Sequence, residues 1–80
     1  MKYIDINGKM IRKDPKYYLQ DVLDFPEYDG SYEKMEQFLE SIGEECEIRF
    51  INTKCIVPAL LEVFLSVGEK SDYITVIIDD

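Results

Sequence analysis

The chain has no histidine and no tryptophan, and only two cysteines, three prolines and four glycines in 80 residues. Without histidine it lacks the commonest general base and the commonest metal ligand, so Ser-His-Asp, Cys-His and His-zinc sites are excluded. No enzyme is expected, and no catalytic residue, metal ligand or cofactor is assigned. Bases are scarce too. Against 17 Asp plus Glu stand 9 Lys plus Arg, a net charge of −8, which makes nucleic-acid backbones and anionic membrane surfaces poor partners and a basic protein the natural one. The longest stretch without a charge, Cys55 to Leu61, is far too short to span a bilayer. The opening Met1-Lys-Tyr-Ile-Asp5 carries no apolar signal-peptide core, and neither end shows a lipidation signal. A cytoplasmic protein is expected, with Cys46 and Cys55 as reduced, free thiols.

What is present is a globular composition, 46% hydrophobic and 12% aromatic, in a length that implies one domain over residues 1–80, near the size where a single core just suffices. Lys2 to Asn7 alternates Ile4 and Ile6 with polar neighbours and meets Asn7-Gly8, the pattern of a strand closed by a tight turn. Asp14-Pro15 then has the form of an N-cap with proline at the first helical position. Tyr18, Leu19, Val22 and Leu23 follow at helical spacing, and Phe25-Pro26 is expected to end this helix, so it runs from Asp14 to Asp24.

Pro26 to Gly30 is a turn by composition, and Ser31 is a second N-cap. Tyr32, Met35, Phe38, Leu39 and Ile42 make a helix from Ser31 to Ile42, with Gly43 as its stop. Cys46 to Ile51 alternates again and gives a half-buried strand. After a connector over Asn52 to Val57, Pro58 opens a third helix that closes at Gly68. Tyr73 to Ile78 is almost wholly apolar and β-branched, the pattern of a strand covered on both faces, so a central or well-covered strand is expected. The order β-α-α-β-α-β implies an α/β fold, a small three-stranded parallel sheet packed by about three helices, with right-handed crossovers.

The acids are not spread evenly. Between Asp21 and Glu47 ten acids face one base, Lys34, so this segment carries −9 and the remainder of the chain +1. On the second helix Glu33, Glu36, Gln37 and Glu40 recur at i, i+3, i+4 and i+7, opposite Met35, Leu39 and Ile42. Like charges at those spacings repel, and no lysine is interleaved to relieve them. Tyr28 and Tyr32 bracket the entrance to the stripe, Tyr32 fitting the helix's apolar face better than its surface. Aromatics beside a charge cluster mark interface centres. Two other uses of the carboxylates lack support. Calcium loops need an alternating D-x-D-x-D-G pattern, which is missing. Carboxylate-pair catalysis needs enclosure, and three short elements around one thin core leave no obvious deep pocket.

The residues resemble the barstar family of intracellular ribonuclease inhibitors, immunity proteins against barnase-type toxins. The resemblance covers nearly the whole chain. It rests on Ile4-Asp-Ile-Asn-Gly8 with Ile11 three residues later, on Leu23-Asp-Phe-Pro-Glu-Tyr-Asp-Gly30 before the second helix, and on Leu61-Glu-Val-Phe64 before a hydrophobic last strand. The family's P-E-Y-Y-G-x-N-L-D-A-L-W-D pattern appears here one residue shorter, from Pro26 to Gln37. Its two helix acids fall on Glu33 and Gln37, its second tyrosine on Asp29 and its tryptophan on Glu36. The acid expected in the last helix is Ser66, and the connector from Asn52 to Val57 is too short for the family's extra helix. The resemblance implies a barstar-like immunity or antitoxin protein that blocks a basic ribonuclease-type toxin through Tyr28, Asp29, Gly30, Glu33, Glu36, Gln37 and Glu40. The alternative is a non-inhibitory acidic adaptor that kept the fold.

Overall fold

The computed structural model describes all residues from Met1 to Asp80. Strand β1 (Lys2–Asn7) runs straight into helix α1 (Gly8–Lys13), followed by α2 (Tyr17–Val22) and α3 (Tyr32–Glu40). Strand β2 (Cys46–Ile51) leads through a 3₁₀ turn (Thr53–Cys55) to α4 (Pro58–Lys70) and β3 (Ile74–Ile78). The three strands pair in parallel in the order β1-β2-β3, with Ile4 opposite Ile48 opposite Val76. The fold class is therefore α/β with a three-stranded parallel sheet.

Alternation along the strands sorts the two faces. Ile4 and Ile6 of β1, Cys46, Ile48 and Phe50 of β2 and Ile74 of β3 are buried, together with Leu19, Leu23, Met35, Leu39, Phe64 and Val67 from the helical layer. Phe50 and Phe64 meet edge to face, with centroids 5.0 Å apart. The opposite sheet face is open, with Tyr3, Asp5, Arg49 and Thr75 exposed and Arg49 reaching Asp5 at 3.9 Å and Asp79 at 3.7 Å.

Several expectations are corrected. Asn7-Gly8 closes no tight turn. The Asn7 carboxamide caps α1, accepting from the Lys9 N–H at 3.0 Å and from Asn52 Nδ2 at 2.9 Å. Gly8 serves close approach rather than a turn, since a Cβ there would lie 2.0 Å from the Asn52 carbonyl oxygen. The helices number four, compatible with the expected about three, the added one being the short α1 directly after β1.

The helix expected over Asp14 to Asp24 is trimmed to Tyr17–Val22. Asp14 still caps its start, accepting from the Tyr17 N–H at 3.1 Å. Its end is a Schellman motif rather than a pre-proline stop. Asp24 takes the left-handed conformation (φ 53°), and the Phe25 N–H donates to the Gln20 carbonyl at 2.8 Å. Helix α3 stops at Glu40, one turn before Gly43, with the Ser41 hydroxyl turned back onto the Phe38 carbonyl at 2.6 Å. Helix α4 passes through Gly68, where an added Cβ would come within 2.9 Å of the Val76 side chain. The last strand is an edge, not the centre. It pairs with β2 alone, and α4 covers one of its faces, leaving Val76 and Ile77 half-buried.

Candidate functional site

The acidic surface is built on α3 and the loop before it. Ser31 starts the helix as expected, its Oγ accepting from the Lys34 N–H at 3.2 Å. Met35 and Leu39 sink into the core and hold the opposite side outward, so Glu33, Glu36, Gln37 and Glu40 share an exposed face. The segment's one base is already engaged. Lys34 Nζ lies 3.4 Å from Asp29 Oδ2, and none of the three glutamates forms an ion pair; the other two ion pairs in the molecule belong to Arg49. Glu33 sits favourably in the positive first turn, but Glu40 is in the last turn, which has no base to offset the negative end of the helix.

The loop is rigidly tied. Phe25 stacks on Phe38 with centroids 4.3 Å apart, and its ring lies tilted against that of Tyr28 with centroids 5.8 Å apart. Gln20 Nε2 donates to the Tyr28 carbonyl at 2.6 Å. Asp29 accepts from the Ser31 N–H at 2.9 Å, and this bond, helped by Lys34, holds its carboxyl below the ordinary range. Gly30 has φ +93°, a conformation that disfavours any side chain although the space around it is open. Its contribution is the shape of the loop.

The two tyrosines exchange the roles expected of them. Tyr28 is 3% exposed and belongs to the core, while Tyr32 is 43% exposed at the start of α3. Burial pushes the Tyr28 phenol up, with smaller contributions from Tyr32 and Asp29. The sequence carried a partial signal of this, since Tyr28 directly precedes a Gly-containing turn that must be anchored. Tyr32 lies seven residues before Leu39, on the apolar period, so periodicity carried no sign of its exposure.

Tyr28 lines an open cleft of about 400 Å³ together with Ile11 and Leu60. It opens between α1, the turn before α2 and the start of α4, beside Asp29 and Tyr32. Cys55 lies on its wall, half-buried, whereas Cys46 is buried on the covered face of β2; both are free thiols. Burial raises the Cys46 thiol. Nowhere do three acidic or thiol side chains converge tightly enough to hold a metal ion, and no helix is long and apolar enough to cross a membrane. No protein-family model, curated protein or solved structure matches this chain.

Proposed function

We propose that this chain is a barstar-like immunity or antitoxin protein that binds a basic enzyme, a ribonuclease-type toxin, and fills its cleft with carboxylates standing in for substrate phosphates. One observation carries the reading: Glu33, Glu36 and Glu40 stand exposed on one helix face without an ion-pair partner, and the one base of their own helix, Lys34, is paired with Asp29. A face left in mutual repulsion is suited to being neutralised by a partner. The tied loop from Phe25 to Ser31 supports the same reading, since a pre-shaped surface loses little entropy on docking. The parallel sheet with its helices on one face is compatible with the barstar-like fold that the motifs suggest.

The protein performs no chemistry in this account. Attraction between the −9 segment and a basic cleft raises the association rate, and salt weakens it. The test is a titration against basic microbial ribonucleases, reading both binding and residual RNA cleavage. Tight, salt-sensitive binding with loss of cleavage is expected. Binding without loss of cleavage supports the second reading, a non-inhibitory adaptor. That reading is favoured by Gln37 and the half-buried Ser66 at positions where the family pattern carries acids.

A further inference from the structure

The cleft beside Tyr28 carries the opposite sign of charge from α3. Ile11, Tyr28 and Leu60, each under 5% exposed, form its apolar floor. Arg12 and Lys16 stand at its rim, both exposed. Neither has an ion-pair partner, and Lys16 Nζ merely lies 5.3 Å from the Tyr17 ring centroid. A molecule of net charge −8 thus keeps two unpaired cations, Arg12 and Lys16, on the wall of one apolar cleft. The nearest acids are committed: Asp14 to the Tyr17 N–H, Asp29 to the Ser31 N–H and to Lys34.

We infer that this cleft is a second recognition site, for a short acidic segment of a partner protein. An apolar side chain of that segment rests on Ile11, Tyr28 and Leu60, and its carboxylates meet Arg12 and Lys16. The volume, about 400 Å³, suits one or two side chains rather than a helix and falls in the range of about 300–1,000 Å³ usual for ligand pockets. The charge complementarity selects an acidic occupant. A peptide is favoured over a nucleic-acid strand because Asp29 and the α3 carboxylates adjoin the cleft and repel an extended polyanion, whereas two or three carboxylates beside an apolar anchor stay within the basic rim. The inference concerns a separate surface and stands whether or not α3 blocks a ribonuclease.

Cys55 supplies a built-in reporter. Its thiol is half-buried on the cleft wall while Cys46 is buried, so in the native protein an aromatic disulfide reagent reads Cys55. The experiment selects random displayed heptapeptides on the full chain and tests the enriched ones for binding and for Cys55 protection. Enriched peptides are expected to carry two or more Asp or Glu beside Leu, Phe or Met and to slow Cys55 labelling at least threefold. They should bind at least tenfold more weakly to Arg12→Glu/Lys16→Glu, and equally well to Glu36→Gln. Lys16→Glu alone, with its circular dichroism matched to the parent, serves if the double variant is poorly folded. The proposal is overturned by any of four outcomes: no enrichment; basic peptides whose binding falls with Glu36→Gln; acidic peptides indifferent to the charge reversal; or protection of Cys55 by a ten-residue oligothymidine and not by the peptides.

Discussion

Because Asp29 holds the Lys34 ammonium, Glu33, Glu36 and Glu40 repel one another unrelieved in the free protein, each like-charge pair costing about 0.2–0.5 kcal/mol. Replacing Glu36 with Gln is therefore expected to leave stability unchanged or raise it by about 0.2–0.5 kcal/mol, measured by urea denaturation. A loss of stability would show that Glu36 makes a structural contact. Gly8 behaves in the opposite way. Since an added Cβ meets the Asn52 carbonyl at 2.0 Å, and backbone yields less than a side chain, Gly8→Ala should cost about 2 kcal/mol or more. At the other end of the chain Asp80 accepts from the Thr53 hydroxyl and N–H, which hold its carboxyl below the ordinary 3.8. A depressed folded-state value means stability that is complete above the unfolded value and is lost as pH falls through the folded one. Asp80→Asn should lower the melting temperature at pH 7, and the gap to the parent should close below about pH 4. A gap that persists at pH 2 would contradict this assignment.

Among the elements, those governed by local chemistry were legible in the sequence. Both outer residues of β1 and β2, the Ser31 cap of α3 and the Pro58 start of α4 fall where alternation and capping rules put them. What was not legible depends on distant residues. Asn7 begins a helix rather than a turn with the help of Asn52, 45 positions away, and Gly68 is tolerated inside α4 because Val76 packs against it. The rank of β3 in the sheet follows from strand order, which an apolar run does not encode. The consequence for stability is graded. Ile74, 4% exposed, should cost about 2–4 kcal/mol on replacement by Ala, whereas half-buried Val76 and Ile77 on the edge strand should each cost less, about 1 kcal/mol. Equal losses at Ile74 and Ile77 in denaturant melts would mean that the open sheet face is covered in solution. The candidate site shows the same division. The stripe of Glu33, Glu36, Gln37 and Glu40 was readable from periodicity, but the inward turn of Tyr28, the outward turn of Tyr32 and the cleft between them arise from the packing of Phe25, Phe38 and Gln20 around the loop.

At the scale of the whole molecule, 30 × 28 × 20 Å in extent, charge is separated into an acidic face on α3 and a basic rim around the Tyr28 cleft. The two adjoin at Asp29 and Tyr32 on the cleft wall, and at physiological salt each acts on a partner over about a Debye length, about 8 Å. A basic ribonuclease is drawn to α3, and the rate of its approach should fall steeply with added salt. The central claim is that the uncompensated carboxylates of α3 are the docking surface. It is tested most directly by titration calorimetry of the parent, Glu33→Gln, Glu36→Gln and Glu40→Gln against a basic microbial ribonuclease that the parent binds, with a denaturation curve for each variant. The account predicts that at least Glu36→Gln weakens the complex by about 2 kcal/mol or more while folding stability is kept or raised, since the partner's cation is left buried and unpaired. Three variants that bind as tightly as the parent would contradict it and reduce α3 to an ordinary solvated helix.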